Sequence, residues 1–364
     1  MNRRVGILTW HYHHNFGSML QAYALQRAIE KLGFSSRVID YYDSALSEPP
    51  TAVTYAKYLI KKAMDICGLK RLLPDYYSFQ RFYYSRLKRS RRVTDREGLK
   101  RLARDCDCVV FGSDQIWAPN VFDPVYMGDF MSELPVKRIS YAASIGLNDI
   151  PAHLRPEYKR LLAGFARISL REEEGKNLLK SCCGLEAEVV VDPTLLLCAD
   201  EYRKMERQVQ NVRQPYIFCY FLRADHAYRQ RVEEYAKKAG LKIYGVSACA
   251  EDAGWMERLQ AIGPEEFLWL VDHAQKVFTD SYHGTLFSLQ FGKDFRTFER
   301  FSSDDPICQN SRIRQLAAMY GIGDWILAPE APISEGQPAE PALIQKKMEA
   351  ARQQSLEYLR KELQ

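Results

Sequence analysis

The chain has 364 residues, 46% hydrophobic and 27% charged, with a formal net charge of +5. That length exceeds one ordinary core and predicts two domains, while no apolar run approaches the ~20 residues that cross a bilayer, which excludes a helical membrane protein. The nine cysteines include no CxxC pair, so neither a zinc site nor a disulfide framework is expected, and the thiols read as mostly buried groups in a reducing cytoplasm.

The N-terminal MNRRVGILTWHYHHNFG has two arginines, but its apolar run is short. It reads as a first strand, Val5–Trp10, and not as a signal peptide. A helix over Ser18–Leu32, ended by Gly33, and a strand over Arg37–Tyr42 follow. Residues 44–105 read as a helical insertion without clear strands. Within it, Ser85–Arg104 concentrates basic residues. Such a run is either a solvated helical face or a peripheral contact with an anionic membrane surface or acidic acceptor. The aromatic residues do not interleave with it as in a nucleic-acid interface, so no nucleic-acid partner is expected.

Short strands at Cys108–Gly112, Arg138–Ala143, Ile168–Leu170 and Val189–Val191 complete the first series. A polar helix, Asp200–Gln210, leads to Pro215. The second series alternates strand Tyr216–Leu222, helix His226–Lys238, strand Lys242–Val246, helix Glu265–His273, strand Lys276–Thr279, a helix after His283, and a strand at Phe295–Phe298. Ser334–Pro341 is a Pro- and Gly-rich loop, and Ala342–Leu363 an amphipathic helix. This alternation predicts an α/β fold with two Rossmann-like domains facing a cleft. The expected division is 1–200 as the first domain, 201–330 as the second, and 331–364 as a loop and C-terminal helix. Ligands of such sheets bind beyond the C-terminal ends of the strands.

Four strand-to-loop junctions carry the residues of interest. In His11–Ser18, Asn15 or Ser18 can cap the helix and Gly17 permits a tight turn. Three histidines in four positions suggest a metal, but no carboxylate or cysteine accompanies them and neighbouring side chains diverge. Substrate contact or simple exposure is preferred, and no metal is expected. In Gly112-Ser113-Asp114-Gln115-Ile116-Trp117, Asp114 has the position of a base for a sugar hydroxyl, and Trp117 offers a face on which a pyranose stacks. Alternatively, Asp114 caps a turn and Trp117 packs in the core. Arg171 enters a helix whose first turn holds Glu172, Glu173 and Glu174. It either grips a phosphate or carboxylate, or pairs with a neighbouring glutamate. At Ser281-Tyr282-His283-Gly284 the histidine stands at a helix start, where backbone N–H groups attract anions, and Gly284 leaves the backbone open to a ligand. The alternative is a capping, core histidine.

Taken in order, NFGSMLQAYALQRAIEKLGF, VVFGSDQIWAP with YAASIG, SLREEEG with VVVDPTLLL, and VFTDSYHGTLFSLQFGKDF resemble the polysaccharide pyruvyl transferase family. The resemblance implies a fold like that of GT-B glycosyltransferases. It implies transfer of the enolpyruvyl unit of phosphoenolpyruvate to a glycan or lipid-linked saccharide, with ketal closure and release of phosphate. The family's acidic residue maps to Asp114, its arginine to Arg171 with Glu172 behind it, and its His-Gly to His283 and Gly284. Many members carry Arg-Leu-His-Gly where this chain has Ser281-Tyr282-His283-Gly284, so an anion contact is missing at Ser281. Arg223, Lys293 or Arg296 could replace it.

The chemistry then needs an acid, a base and a held leaving group. Asp114 is the expected base, His283 the phosphate ligand and possible acid, and Arg171 the anion clamp. No cofactor beyond the donor is expected, because phosphate departs from carbon. A nucleotide-sugar glycosyltransferase is the alternative, with Glu265 or Glu266 near the region that would grip a ribose. A non-catalytic partner in polymer assembly is a third.

Overall fold

The structure, a computed structural model, describes residues 3–11, 14–42, 52–67, 76–223, 226–247, 254–301, 305, 308–333 and 340–364. Tyr12, His13 and most of the 334–341 loop lie outside them. The chain divides into two compact units, Met1–Leu197 with Ala351–Gln364, and Cys198–Ala350.

The first unit contains β1 (Arg4–Leu8), α1 (Phe16–Lys31), β2 (Ser35–Val38), α2 (Ala52–Ile66), α3 (Tyr77–Arg86), α4 (Arg96–Arg104), β3 (Cys108–Phe111), β4 (Lys137–Ser140), α5 (Arg155–Leu162), β5 (Ser169–Leu170), α6 (Glu173–Leu178) and β6 (Glu188–Val189). Its main sheet has the order β2-β1-β3-β4, all parallel, with Val5 opposite Cys108 and Arg4 opposite Ser35. The continuous apolar runs of β1 and β3 suit strands covered on both faces. Asn15 starts α1 by accepting from the Ser18 backbone N–H at 3.1 Å. Gly33, at φ 91°, makes the left-handed turn that follows it. The two-residue strands β5 and β6 adjoin this sheet through a bridge between Ala143 and Leu170. Ser140 and Ser169 also exchange side-chain hydrogen bonds with each other's backbone.

The second unit contains α7 (Ala199–Arg203), β7 (Tyr216–Phe221), α8 (His226–Ala239), β8 (Lys242–Ser247), β9 (Glu257–Arg258), α9 (Pro264–His273), β10 (Lys276–Thr279), α10 (Tyr282–Gln290), β11 (Asp294–Phe298), α11 (Asn310–Tyr320) and β12 (Ile326–Leu327). Its parallel sheet has the order β12-β11-β10-β7-β8-β9. Cys219, Phe278 and Phe298 stand in its core.

The segment expected as a separate tail, 331–364, is divided between the units. α12 (Pro341–Leu363) begins in the second and ends in the first. There Tyr358 donates to the Ser140 carbonyl at 3.1 Å, and Ser355 Oγ accepts from the Val191 N–H at 3.1 Å. Leu359 and Leu363 are fully buried, so the apolar stripe of α12 finishes the first core.

Candidate functional site

Each sheet has one place where the chain reverses its direction of growth: between β1 and β3 in the first, and between β7 and β10 in the second. Crevices at the C-terminal ends of such strand pairs are the usual ligand positions of α/β sheets. The sequence-derived residues gather at both.

At the β1/β3 edge, Gly112 follows β3 at φ 118°, and a Cβ there would stand 2.3 Å from the Tyr141 carbonyl oxygen. Only glycine fits. Ser113 is fully buried, with its hydroxyl donating to the Ala142 carbonyl at 2.8 Å and its N–H to Gln21 Oε1 at 3.2 Å. Both groups brace the turn. Asp114 adopts φ 70°, a left-handed conformation that a non-glycine residue holds only under constraint. Its Oδ1 accepts from the Gln115 N–H at 2.9 Å and its Oδ2 from Ser18 Oγ at 2.5 Å. Asn15, Gly17 and Ser18 thus form the capped first turn of α1, whose dipole favours the anion beside it.

Trp117 corrects the stacking expectation. It is fully buried, its indole N–H donates to the Tyr126 carbonyl at 2.9 Å, and Tyr158 donates to its own carbonyl at 2.7 Å. Its ring meets Phe165 edge-on at 5.6 Å. No face is open to a sugar.

Arg171 also departs from the expected anion clamp. Its side chain is 1% exposed; Nη1 meets Asp192 Oδ2 at 2.8 Å and Nε meets Glu172 Oε1 at 3.4 Å. Two carboxylates around one guanidinium leave no excess positive charge for a dianion. Ser144 ties this cluster to Asp114: its N–H donates to the Asp114 carbonyl at 2.9 Å and its hydroxyl to Glu172 Oε1. Glu172 Oε2 is buried without a hydrogen-bond partner, which leaves it able to accept from a ligand. Ser144 and Asp192 lie in the motif segments YAASIG and VVVDPTLLL, where strand-end Ser and Asp were the available signal.

The loop histidines are engaged elsewhere. His11 is buried, with Nδ1 2.9 Å from the Thr9 carbonyl and Nε2 3.2 Å from Asp40 Oδ1. Burial pushes the Asp40 carboxyl up, but His11, Arg92 and Tyr83 outweigh it and hold it at about 2. His14 packs between Tyr76 and Phe79, at 6.2 and 5.2 Å, and burial lowers its pKa.

At the β7/β10 edge, Asp280 is the centre that sequence reasoning passed over. Its Oδ1 accepts from the Leu222 N–H at 2.7 Å and its Oδ2 from the Arg223 N–H at 3.0 Å, clasping the ends of the two strands. Burial raises its pKa against the pull of Arg300 and these donors. Ser281 caps α10 by accepting from the Gly284 N–H at 3.3 Å. His283 occupies the first turn of α10 and is 8% exposed. Gly284 has a different reason from the one expected: a Cβ there would stand 2.4 Å from Thr279 Oγ1. The glycine seats the helix on β10.

Of the three stand-ins for the missing arginine, only Arg223 belongs to this edge. Its guanidinium donates to the Arg300 carbonyl at 3.0 Å. Lys293 donates to the Asp272 carbonyl at 2.6 Å, and Arg296 pairs with Asp294 at the start of β11. Arg300 lies over Phe301 at 4.9 Å and Arg312 over Tyr282 at 5.6 Å, two cations that motif reading missed because they sit outside the motif. Glu266 is occupied: it accepts from the Gly263 N–H at 3.1 Å, capping α9, and stands 3.6 Å from Arg207.

No curated protein matches the chain as a relative. Solved structures resemble it across nearly their whole length. One is UDP-GlcNAc 2-epimerase from Methanocaldococcus jannaschii, at 14% identity over 96% of this chain and 92% of that one, with a TM-score of 0.53. Another is UDP-GlcNAc 2-epimerase from Neisseria meningitidis bound to UDP-GlcNAc, at 12% identity over 98% and 100%, with a TM-score of 0.50. A third is an alpha-glucosyltransferase in complex with UDP and DNA, at 11% identity over 98% and 95%, with a TM-score of 0.51. At such identities the likeness is one of fold, and the fold class is that of the GT-B enzymes. The family model for polysaccharide pyruvyl transferase matches residues 15–300, a span that takes in all four motif segments at the two sheet edges. The chain is therefore a member of the polysaccharide pyruvyl transferase family.

Proposed function

We propose that this transferase moves the enolpyruvyl group of phosphoenolpyruvate onto a sugar of a surface polysaccharide or its lipid-linked precursor. Protonation of the donor's methylene carbon makes the neighbouring carbon electrophilic. One sugar hydroxyl adds there and gives up its proton. A second hydroxyl then displaces phosphate, closing the cyclic ketal, and its proton leaves with the phosphate.

Asp114 takes the proton of the attacking hydroxyl. The observation that carries this role is its carboxylate, held at a constrained left-handed position by Ser18 Oγ and the first turn of α1. The donor's phosphate and carboxylate suit the second unit's edge, where the first turn of α10 presents N–H groups and His283, and where Arg223, Arg300 and Arg312 add charge. His283 serves as phosphate ligand and as acid. Arg171 acts as a positioning residue, holding Glu172 and Asp192 in place.

The reading is tested by incubating the purified protein with phosphoenolpyruvate and candidate lipid-linked glycans while following inorganic phosphate and product mass. Acceptor-dependent phosphate release with a matching pyruvate ketal is expected. Turnover of a nucleotide sugar with no use of phosphoenolpyruvate would overturn it in favour of a glycosyltransferase.

A further inference from the structure

Helix α2 turns its apolar side outward. At 100° per residue, Tyr55, Ala56, Leu59, Ile60, Ala63 and Ile66 form one continuous arc of about 140°. All six are exposed, Ile60 at 63% and Ile66 at 78%. The opposite side faces the protein. Tyr58 is 3% exposed and packs on Tyr84 and Tyr77, with ring centroids at 4.5 and 6.1 Å. Asp65 accepts from the Tyr77 hydroxyl at 3.3 Å, and Lys61 donates to the Tyr76 hydroxyl at 2.9 Å. A helix that serves a core shows the reverse arrangement. Among the described residues, four of the eight large hydrophobics exposed to solvent belong to α2, so the apolar surface is concentrated and not scattered.

Charge decides what fits this face. Lys57 and Lys62 are exposed on either side of the arc, while Asp65, the helix's acidic residue, points inward. A second copy docking about a two-fold axis would set these lysines against their own counterparts. An anionic surface with an apolar interior complements both features. We propose that α2 lies in the interface of an anionic lipid bilayer, with its apolar arc at the acyl boundary. The helix sits beside the β1/β3 edge: Lys61 holds Tyr76, which stacks at 6.2 Å on His14, next to the capping Asn15 of α1. A bilayer bound there borders the edge that carries Asp114. Binding requires neither donor nor acceptor, so its test stands apart from the reaction.

The full chain is sedimented with vesicles of phosphatidylglycerol and phosphatidylcholine, and with phosphatidylcholine alone. Binding to the mixed vesicles, weakened by salt, is expected. Leu59→Glu with Ile60→Glu lowers the partition by roughly tenfold or more without moving the melting temperature, because both side chains are exposed. Lys57→Gln with Lys62→Gln weakens binding to the anionic vesicles. Failure of the native chain to bind, or equal binding by the double glutamate variant, would overturn the proposal. So would a solution dimer that the glutamates dissolve in the absence of any lipid binding.

Discussion

Asp114 combines a left-handed backbone with a carboxylate placed between Ser18 and its own loop. Asparagine tolerates that backbone better than most residues and keeps the shape of the side chain. Asp114→Asn is therefore expected to fold normally while losing the base, with turnover down by about 10²–10⁴-fold. An unchanged turnover alongside a normal melt would remove Asp114 from the chemistry. Trp117 gives the complementary case. As a core residue donating to Tyr126, it should cost about 3–5 kcal/mol on Trp117→Ala. A sugar platform would instead leave stability alone and raise KM, so melting and Michaelis curves on the same variant separate the two.

Among elements, β10 and α10 were the most legible. The strand lies at Lys276–Thr279 as its apolar run predicts, and the Asp-Ser-Tyr-His-Gly turn starts the helix. What sequence could not show was why the glycine is there, because Thr279 and Gly284 meet only once the helix folds back on the strand. Gly284→Ala should destabilise the second unit by about 1–3 kcal/mol through overpacking against Thr279. Pairing it with Thr279→Ser should recover part of the loss, since the Thr279 Cγ2 that serine lacks also crowds the site, at 3.2 Å. If the single variant melts like the native protein, the close approach is not a constraint. The two strands missed share a physical cause. β9 and β12 are two residues long, and strands that short exist by pairing, not by pattern. Neither α5 nor α11 is among the predicted elements, although Pro156 in the first turn of α5 is a common helix-start position. The candidate site was legible where residue type and turn chemistry coincide, as at Asp114 and Ser281. It was not legible where long-range pairing decides a side chain's role. Arg171 is the example: Asp192, which neutralises it, stands a full strand away.

At the scale of the whole molecule the two units should respond to pH in opposite directions. In the first, Asp40 is held at about 2, below its ordinary 3.8. It contributes stability above its ordinary value, about 2 kcal/mol, which is lost as pH falls from about 4 to about 2. In the second, burial and the neighbouring Asp272 raise Glu206 from 4.5 to about 7, while the Arg203 fork on Asp272, at 2.8 and 3.1 Å, keeps that carboxyl ionised. A raised carboxyl contributes stability that is fully present below its ordinary value and lost as pH rises through about 7. Discounted for its partial contact with solvent, the alkaline loss is about 1 kcal/mol. Glu206→Gln removes the titration while keeping the shape. It should leave the melting temperature unchanged at pH 5 and raise it by about 2–4 °C at pH 8. An equal gain at both values would mean that the glutamine packs better and that proton linkage at Glu206 plays no part. A flat acid limb between pH 4 and 2 in Asp40→Asn, beside an intact alkaline limb, would place the two dependences in separate units, as the separate cores of the chain require.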